Sequence, residues 1–517
     1  MVEPLEESVR RSFLPVDDEC GRPASTTGRR QWLPQMFSDS VIYGFGNVAS
    51  RFVGLILVPL YTRVFSPAEY GLLDVLLASS IVLYILAESQ IVSAVGRSFF
   101  EAREQGTLPV LLGTATRLYL FFTLLWSALT ALLFVVLRPL LPSTIGWIHI
   151  APIVLILFPQ QMFALLQLVL RYERRVGIYI GFTIADVVTS GIGSAVAIFV
   201  FHSGIAGVLW ALVFSKVLWG SCLVIKMRAM ISWKANRDYA KEMLAYGIPV
   251  VPSVLTKWGQ NYANRYVLAI QLSLSQLGLF SLAVQVAGAV AMVDSAFRQA
   301  WDPRAMQLFA SQDSEAFFAR TLHMYLAGMF LMCSGVALFA IPIVGILAGA
   351  RFAAATPIVG FLVFGQMWNG TAHILASGNA WARRTYWNAI AYGSGSVVNV
   401  VALVVLAPRW GVLAGGVTYL AGAVIAAWIV LITAQRSHHI PYAIPMLALA
   451  TLASGSVACG TYYYARGSMP AGFSLSRAAY SVGTWLGLAC IVVGVAALRT
   501  IGSRSGSWFR PSSYWST

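Results

Sequence analysis

Apolar runs of about twenty residues or more, each long enough to cross roughly 30 Å of hydrocarbon, recur from residue 38 almost to the end of this chain. Lipid offers no partner to backbone N–H and C=O groups, so a segment that crosses it must close its hydrogen bonds internally, as a helix or a sealed barrel. Runs this long are helix-sized. They predict an all-α, polytopic membrane protein of about fourteen transmembrane helices. The spans read at 38–62, 71–95, 108–137, 147–170, 177–202, 204–225, 243–270, 277–297, 321–347, 354–378, 385–407, 412–434, 442–464 and 478–498. Only 11% of the 517 residues are charged, against about 25% in soluble domains. Too few charges remain to clothe a soluble protein of this size.

The charge balance is basic, 35 Lys+Arg against 20 Asp+Glu. A nucleic-acid binder would gather that excess on one face, whereas here it punctuates the apolar runs. With the N-terminus placed in the cytoplasm, 24 Lys/Arg fall in inside loops. Six fall outside: Arg63, Arg138, Arg351, Arg409, Arg466 and Arg477. Loss of one helix would scramble every later loop, so the bias supports both helix number and orientation. Residues 1–36 mix acids and arginines without an apolar core and read as a cytoplasmic tail, as does 501–517.

The chain also repeats itself. Tyr43-Gly44 opens one span and Tyr246-Gly247 another. Ser66-Pro-Ala-Glu-Tyr-Gly71 is echoed by Ser273-Leu-Ser-Gln-Leu-Gly278, Ala151-Pro-Ile-Val by Thr356-Pro-Ile-Val, and Arg174-Arg175 by Arg383-Arg384. The offsets, 203, 207, 205 and 209 residues, drift as small insertions would. Six helices per unit is an even number, so the halves enter the membrane in the same sense, a parallel repeat about an axis along the membrane normal. The division is a six-helix bundle at 37–228, a cytoplasmic connecting segment at 229–242, a second bundle at 243–434, and helices thirteen and fourteen at 435–500.

A charge at mid-bilayer costs roughly 2.5–3.5 kcal/mol and belongs beside a cavity or a partner. Asn47 and Arg51 lie four apart on the first span. On the seventh, Lys257, Gln260, Asn261, Asn264 and Arg265 follow steps of three and four, forming one polar stripe. Such a stripe lines water or substrate, or else glues the bundle through interhelical hydrogen bonds. Two cationic faces meeting across the repeat axis would suit a pyrophosphate. Glu88, Asp186 and Asp294 are candidate ion-coupling carboxylates, although Asp294 and Arg298, four apart, also read as an intrahelical ion pair. Pro249 and Pro252 mark a kink or hinge. The six histidines and five cysteines have no metal or nucleophile spacing. No phosphate-loop sequence is present. Catalytic residues, cofactor and metal are therefore expected to be none.

The stretch Tyr43-Gly-Phe-Gly-Asn47, Pro59-Leu-Tyr-Thr-Arg63 and Ser66-Pro-Ala-Glu-Tyr-Gly71, with Ala300-Trp-Asp-Pro303, resembles the polysaccharide-transporter family of O-antigen and capsule flippases, within the multidrug/oligosaccharidyl-lipid/polysaccharide exporter superfamily. The resemblance implies alternating access through a cationic central cavity in the bacterial inner membrane. The implied cargo is an undecaprenyl-pyrophosphate-linked oligosaccharide for surface polysaccharide, and the drive an H+ or Na+ gradient. Arg51 matches a first-helix arginine of such cavities, and Lys257 and Arg265 match in type and helix. Polymerase or assembly proteins are the implied partners. The alternatives are an exporter of the same fold for lipid II, a drug or another anionic solute, and a non-transporting component of a polysaccharide-assembly complex.

Overall fold

The structure is a computed structural model that describes residues 57–140, 145–308, 314–382, 384, 386–468 and 481–488. Among the described residues there is no strand, and sixteen α-helices stand beside helical stretches at 57–64 and 481–488. In chain order they are α1 (Pro67–Glu88), α2 (Ile91–Glu104), α3 (Leu108–Leu137), α4 (Trp147–Leu155), α5 (Leu157–Tyr172), α6 (Val176–Phe199), α7 (Gly204–Lys226) and α8 (Arg237–Gln271). There follow α9 (Leu274–Leu308), α10 (Ser314–Leu338), α11 (Ala340–Ala348), α12 (Thr356–Leu375), α13 (Ser377–Trp381), α14 (Tyr386–Trp410), α15 (Val412–Ser437) and α16 (Ile444–Ser468).

Eleven segments are long and apolar enough to cross a membrane, and they coincide with eleven of the expected spans. α8 is not among them despite its 35 residues, because its polar stripe lowers the hydropathy of the run. Counting α8 gives twelve. The two that complete fourteen are the 38–62 and 478–498 spans, of which only 57–62 and 481–488 are described, both helical.

Some of these segments differ from a plain helix or a plain linker. The 71–95 run is broken after Glu88, where Ser89 (φ 47°) and Gln90 (φ 58°) adopt the left-handed conformation. The 147–170 run bends at Ile156, between α4 and α5. The connecting segment is not a free linker. Its last residues already belong to α8, and the stretch before them is bonded to α3. The Ser232 amide donates to the Pro109 carbonyl (2.9 Å), the Asn236 amide to Thr114 Oγ1 (3.1 Å), and the Arg117 guanidinium to the Trp233 carbonyl.

Helix α1 starts with a capping box. The Ser66 hydroxyl accepts from the Glu69 amide, and the Glu69 carboxylate accepts from the Ser66 amide (2.8 Å). This satisfies amides that the helix itself leaves free. The capped end packs on the start of α9. A Cβ on Gly71 would strike the Leu274 carbonyl oxygen and lie 2.8 Å from the Gly278 nitrogen. A Cβ on Gly278 would strike the Pro67 carbonyl oxygen and lie 3.1 Å from the Gly71 nitrogen. The contact is reciprocal, and its members are the residues paired by the sequence repeat. Two repeat units meet here with no side chain between them.

At the opposite end the α1–α2 break faces α8. A Cβ on Gly247 would strike the Ser89 carbonyl oxygen. Ser98 Oγ donates to Glu242 Oε1 (2.9 Å), and the Arg97 guanidinium lies over the Tyr246 ring (5.5 Å). Thus α1 and α2 meet α9 at one end and α8 at the other.

Candidate functional site

The polar stripe of α8 divides into two parts. Gln260 Nε2 donates to Asn369 Oδ1 on α12 (3.3 Å), and Asn369 Nδ2 donates to the Tyr419 hydroxyl on α15 (3.0 Å). Asn264 is buried and accepts from Asn399 Nδ2 on α14 (3.0 Å). Arg265 is buried too. Its Nε donates to Asp74 Oδ2 on α1 at 2.5 Å, its NH1 to the Asn261 carbonyl at 2.6 Å, and its guanidinium lies 4.5 Å over the Tyr262 ring. These three residues are therefore held by interhelical bonds. Lys257 and Asn261 remain exposed on the same helix, with Ser253 and Thr256 beside them. Among the described residues Lys257 has no ion-pair partner. Asn47 and Arg51 lie outside the described residues.

Asp74 was not among the candidate residues of the sequence. In the structure it joins the repeat units, since Ser281 Oγ on α9 also donates to its Oδ2 (2.6 Å). Asp74 and Ser281 stand the same distance apart in sequence as Gly71 and Gly278, so the repeat itself carried the signal. Arg265 then closes the knot from α8. The buried guanidinium of Arg265 is thus charge-compensated by a half-buried carboxylate that also accepts from a hydroxyl, the condition under which a charge is tolerated away from water.

The three carboxylates proposed for ion coupling sit in different surroundings. Asp186 on α6 pairs with Lys216 on α7 (2.6 Å), accepts from the Ser215 hydroxyl (2.8 Å), and lies in the core of its half. Lys216 also lies 4.5 Å over the Phe163 ring. Asp294 on α9 pairs with Arg298 (2.8 Å), the intrahelical pair its spacing suggests, and accepts from the Tyr325 hydroxyl on α10 (2.7 Å). Glu88 is not deep inside one continuous span as its sequence position suggests. It ends α1 and folds over the break to cap α2, accepting from the amides of Gln90 (2.9 Å) and Val92 (2.7 Å). Among the described residues no Lys, Arg or His pairs with it.

Chemically, this arrangement can hold α1 and α2 against α9 at one end and α8 at the other, and present a cation and an amide on a polar helix between them. The description "Polysaccharide biosynthesis protein" matches residues 60–357, more than half of the chain. The chain belongs to that family. The matched region includes the α1 capping box, the polar stripe of α8 and the α1–α9 and α2–α8 contacts, so the features described above are those of the family's segment. No curated protein matches in sequence. Among solved structures, one titled "Lipid II flippase MurJ, inward closed conformation" superposes with a TM-score of 0.65 at 12% identity, over 87% of this chain and 98% of that one. An inward-facing multidrug resistance MATE family transporter of the MOP superfamily gives 0.56 at 13%, over 78% and 96%. The Vibrio cholerae MATE transporter VcmN gives 0.50 at 16%, over 80% and 99%. At these identities the likeness establishes the fold, a multi-pass bundle that those transporters, none of them an enzyme, also have.

Proposed function

We propose that this chain is a flippase that carries an undecaprenyl-pyrophosphate-linked oligosaccharide across the bacterial inner membrane by alternating access, for surface polysaccharide or exopolysaccharide synthesis. Both termini are cytoplasmic in this reading. The cargo is drawn by an H+ or Na+ gradient and handed to polymerase or assembly proteins on the other side. The observation that carries the reading is Lys257: an exposed cation near the middle of a helix too polar to face lipid, in a family of polysaccharide biosynthesis proteins. An ammonium there is a point charge suited to a phosphate. Asn261, one turn on, adds an amide for a sugar hydroxyl or phosphate oxygen. Arg51 would supply the facing cation from the first span. Gln260, Asn264 and Arg265 support the site by fixing α8 against α12, α14 and α1. A deep carboxylate serves as the coupling group. Six-helix units at 37–228 and 243–434 are the rocking bodies.

The test is complementation of surface polymer in a strain lacking this gene, with wild type, Arg51→Ala and Lys257→Ala at matched membrane levels. Wild type restores polymer, and each variant restores little or none while still inserting. Full restoration by both variants removes the cationic site. If wild type changes no polysaccharide, the cargo is another solute of the same fold class.

A further inference from the structure

Of the three candidate coupling carboxylates, two are neutralised by a cation and one, among the described residues, is not. Asp186 has Lys216 and Asp294 has Arg298. Glu88 has only N–H donors: the Gln90 amide on Oε2 (2.9 Å), the Gln90 side-chain amide on the same oxygen (3.1 Å), and the Val92 amide on Oε1 (2.7 Å). A hard metal cation takes oxygen ligands, and none of these contacts supplies one. The chemistry left to this carboxylate is to take and lose a proton.

The repeat gives Glu88 a counterpart. Glu88 on α1 and Tyr119 on α3 are spaced in sequence as Asp294 on α9 and Tyr325 on α10 are, 31 residues apart, and each precedes its counterpart by 206 residues. In the second unit the pair is made, with the Tyr325 hydroxyl donating to Asp294 Oδ1 at 2.7 Å, and α9 runs unbroken past it. In the first unit that hydrogen bond is not made. The Tyr119 hydroxyl is fully buried and has no hydrogen-bond partner, an arrangement that costs about 1–3 kcal/mol. The helix beside it is broken, with two non-glycine residues in the left-handed region, each a cost of order 1–3 kcal/mol. The break also strips the Leu86 carbonyl of its helical amide, and the Ser89 hydroxyl takes it instead (2.7 Å).

We propose that Glu88 is the proton-carrying group of this transporter, and that its protonation transfers it from the α2 amides to the Tyr119 hydroxyl and straightens the α1–α2 break. A proton from water joins the carboxylate. The neutral carboxyl is a poorer acceptor for the amides of Gln90 and Val92, and its new O–H donates to the Tyr119 oxygen. The freed amides find the Leu86 and Glu88 carbonyls, their partners four residues back in a continuous helix. Straightening withdraws the Ser89 carbonyl from Gly247, so the contact between α2 and α8 opens. The other charged or titratable groups around the break are Tyr84 on α1, Arg97 on α2 over the Tyr246 ring of α8, Glu242 on α8 accepting from Ser98, and Arg171 and Tyr172 on α5. None of them hydrogen-bonds to or ion-pairs with the Glu88 carboxylate, and of them Tyr84 lies near enough to feel its charge.

The inference rests on the reading of the chain as a two-state transporter, and its test needs no cargo. In the full chain with its five cysteines replaced by alanine, nitroxides are placed at Glu104→Cys on α2 and Lys241→Cys on α8. Their separation is measured by pulsed dipolar spectroscopy in lipid nanodiscs at about pH 8 and about pH 3.5, either side of the ordinary glutamate value of about 4.3. Wild type moves to a longer distance at the lower pH. Glu88→Gln, a fixed neutral form, shows the longer distance at both. Tyr119→Phe, which removes the receiving oxygen, keeps the shorter distance at both. A Glu88→Gln protein that still shifts with pH as wild type does overturns the proposal, and so does a Tyr119→Phe protein that shifts normally. If Glu88→Gln fails to insert, Tyr119→Phe decides alone. Normal spectroscopy with failed polysaccharide complementation would discard the cargo and keep the proton site.

Discussion

A single methyl group at Gly71 or Gly278 should move the whole protein between states. In Gly71→Ala the new carbon would overlap the Leu274 carbonyl oxygen and sit 2.8 Å from the Gly278 nitrogen. Ordinary contact begins near 3.5 Å, and both obstacles are backbone, so no side chain can swing aside. The helices must part by something of the order of 1 Å. Overpacking of this kind costs about 1–3 kcal/mol. The cost falls only on the conformation in which these ends touch. At about 1.4 kcal/mol per factor of ten, the equilibrium moves roughly five- to 150-fold toward the state in which they are apart. Gly278→Ala meets the same obstacle from the other side and should match it. Because one separation relieves both clashes, the double variant should fall well short of the sum. The assay is the distance between nitroxides at Glu69→Cys and Gln276→Cys, read in lipid nanodiscs. A lengthened distance in both single variants, with sub-additive behaviour in the double, is expected. An unchanged distribution in either single variant refutes the reasoning.

Two further tests concern buried charge. Asp74→Ala strands the buried Arg265 and should destabilise by about 3–5 kcal/mol, and Arg265→Ala, which strands the half-buried Asp74, should destabilise by less. The double variant should recover much of that loss in thermal unfolding of the detergent-purified protein. Lys216→Met should destabilise by leaving Asp186 without its cation, and Asp186→Asn added to it should restore part of the melting temperature. A double variant no better than Lys216→Met would mean that Lys216 packs rather than pairs.

Much of the bundle was legible in the sequence because lipid imposes a simple condition, a long apolar run per crossing. The repeat was legible for a different reason, since Ser66-Pro-Ala-Glu-Tyr-Gly71 and its echo encode a contact in which each copy needs the glycine of the other. The polar stripe of α8 was visible as a period, but its division was not. Asn264 meets Asn399 and Arg265 meets Asp74 across 135 and 191 residues, and nothing local in the chain announces either partner. The break after Glu88 was hidden because hydropathy is blind to φ. Ser89 and Gln90 look like ordinary helix interior, and the run around them stays apolar. The reading of Glu88 as a deep charge missed that a carboxylate beside a break caps the next helix. Asn47 and Arg51 lie outside the described residues, so the facing half of the cationic site rests on sequence alone.

In the proposed rocking motion, the bonding of residues 232–236 to α3 sets where α8 pivots. The chain crosses from α7 to α8 once, and that crossing is anchored to the first bundle rather than left slack. Helix α8 then acts as a boom with its heel stepped into α3. Its 35 residues make it about 50 Å long, so a tilt of about 10° at the heel carries the far tip about 9 Å. Arg265 rides near that tip and is the residue that moors it to Asp74. A small adjustment at the heel is thus converted into a full casting-off at the other end.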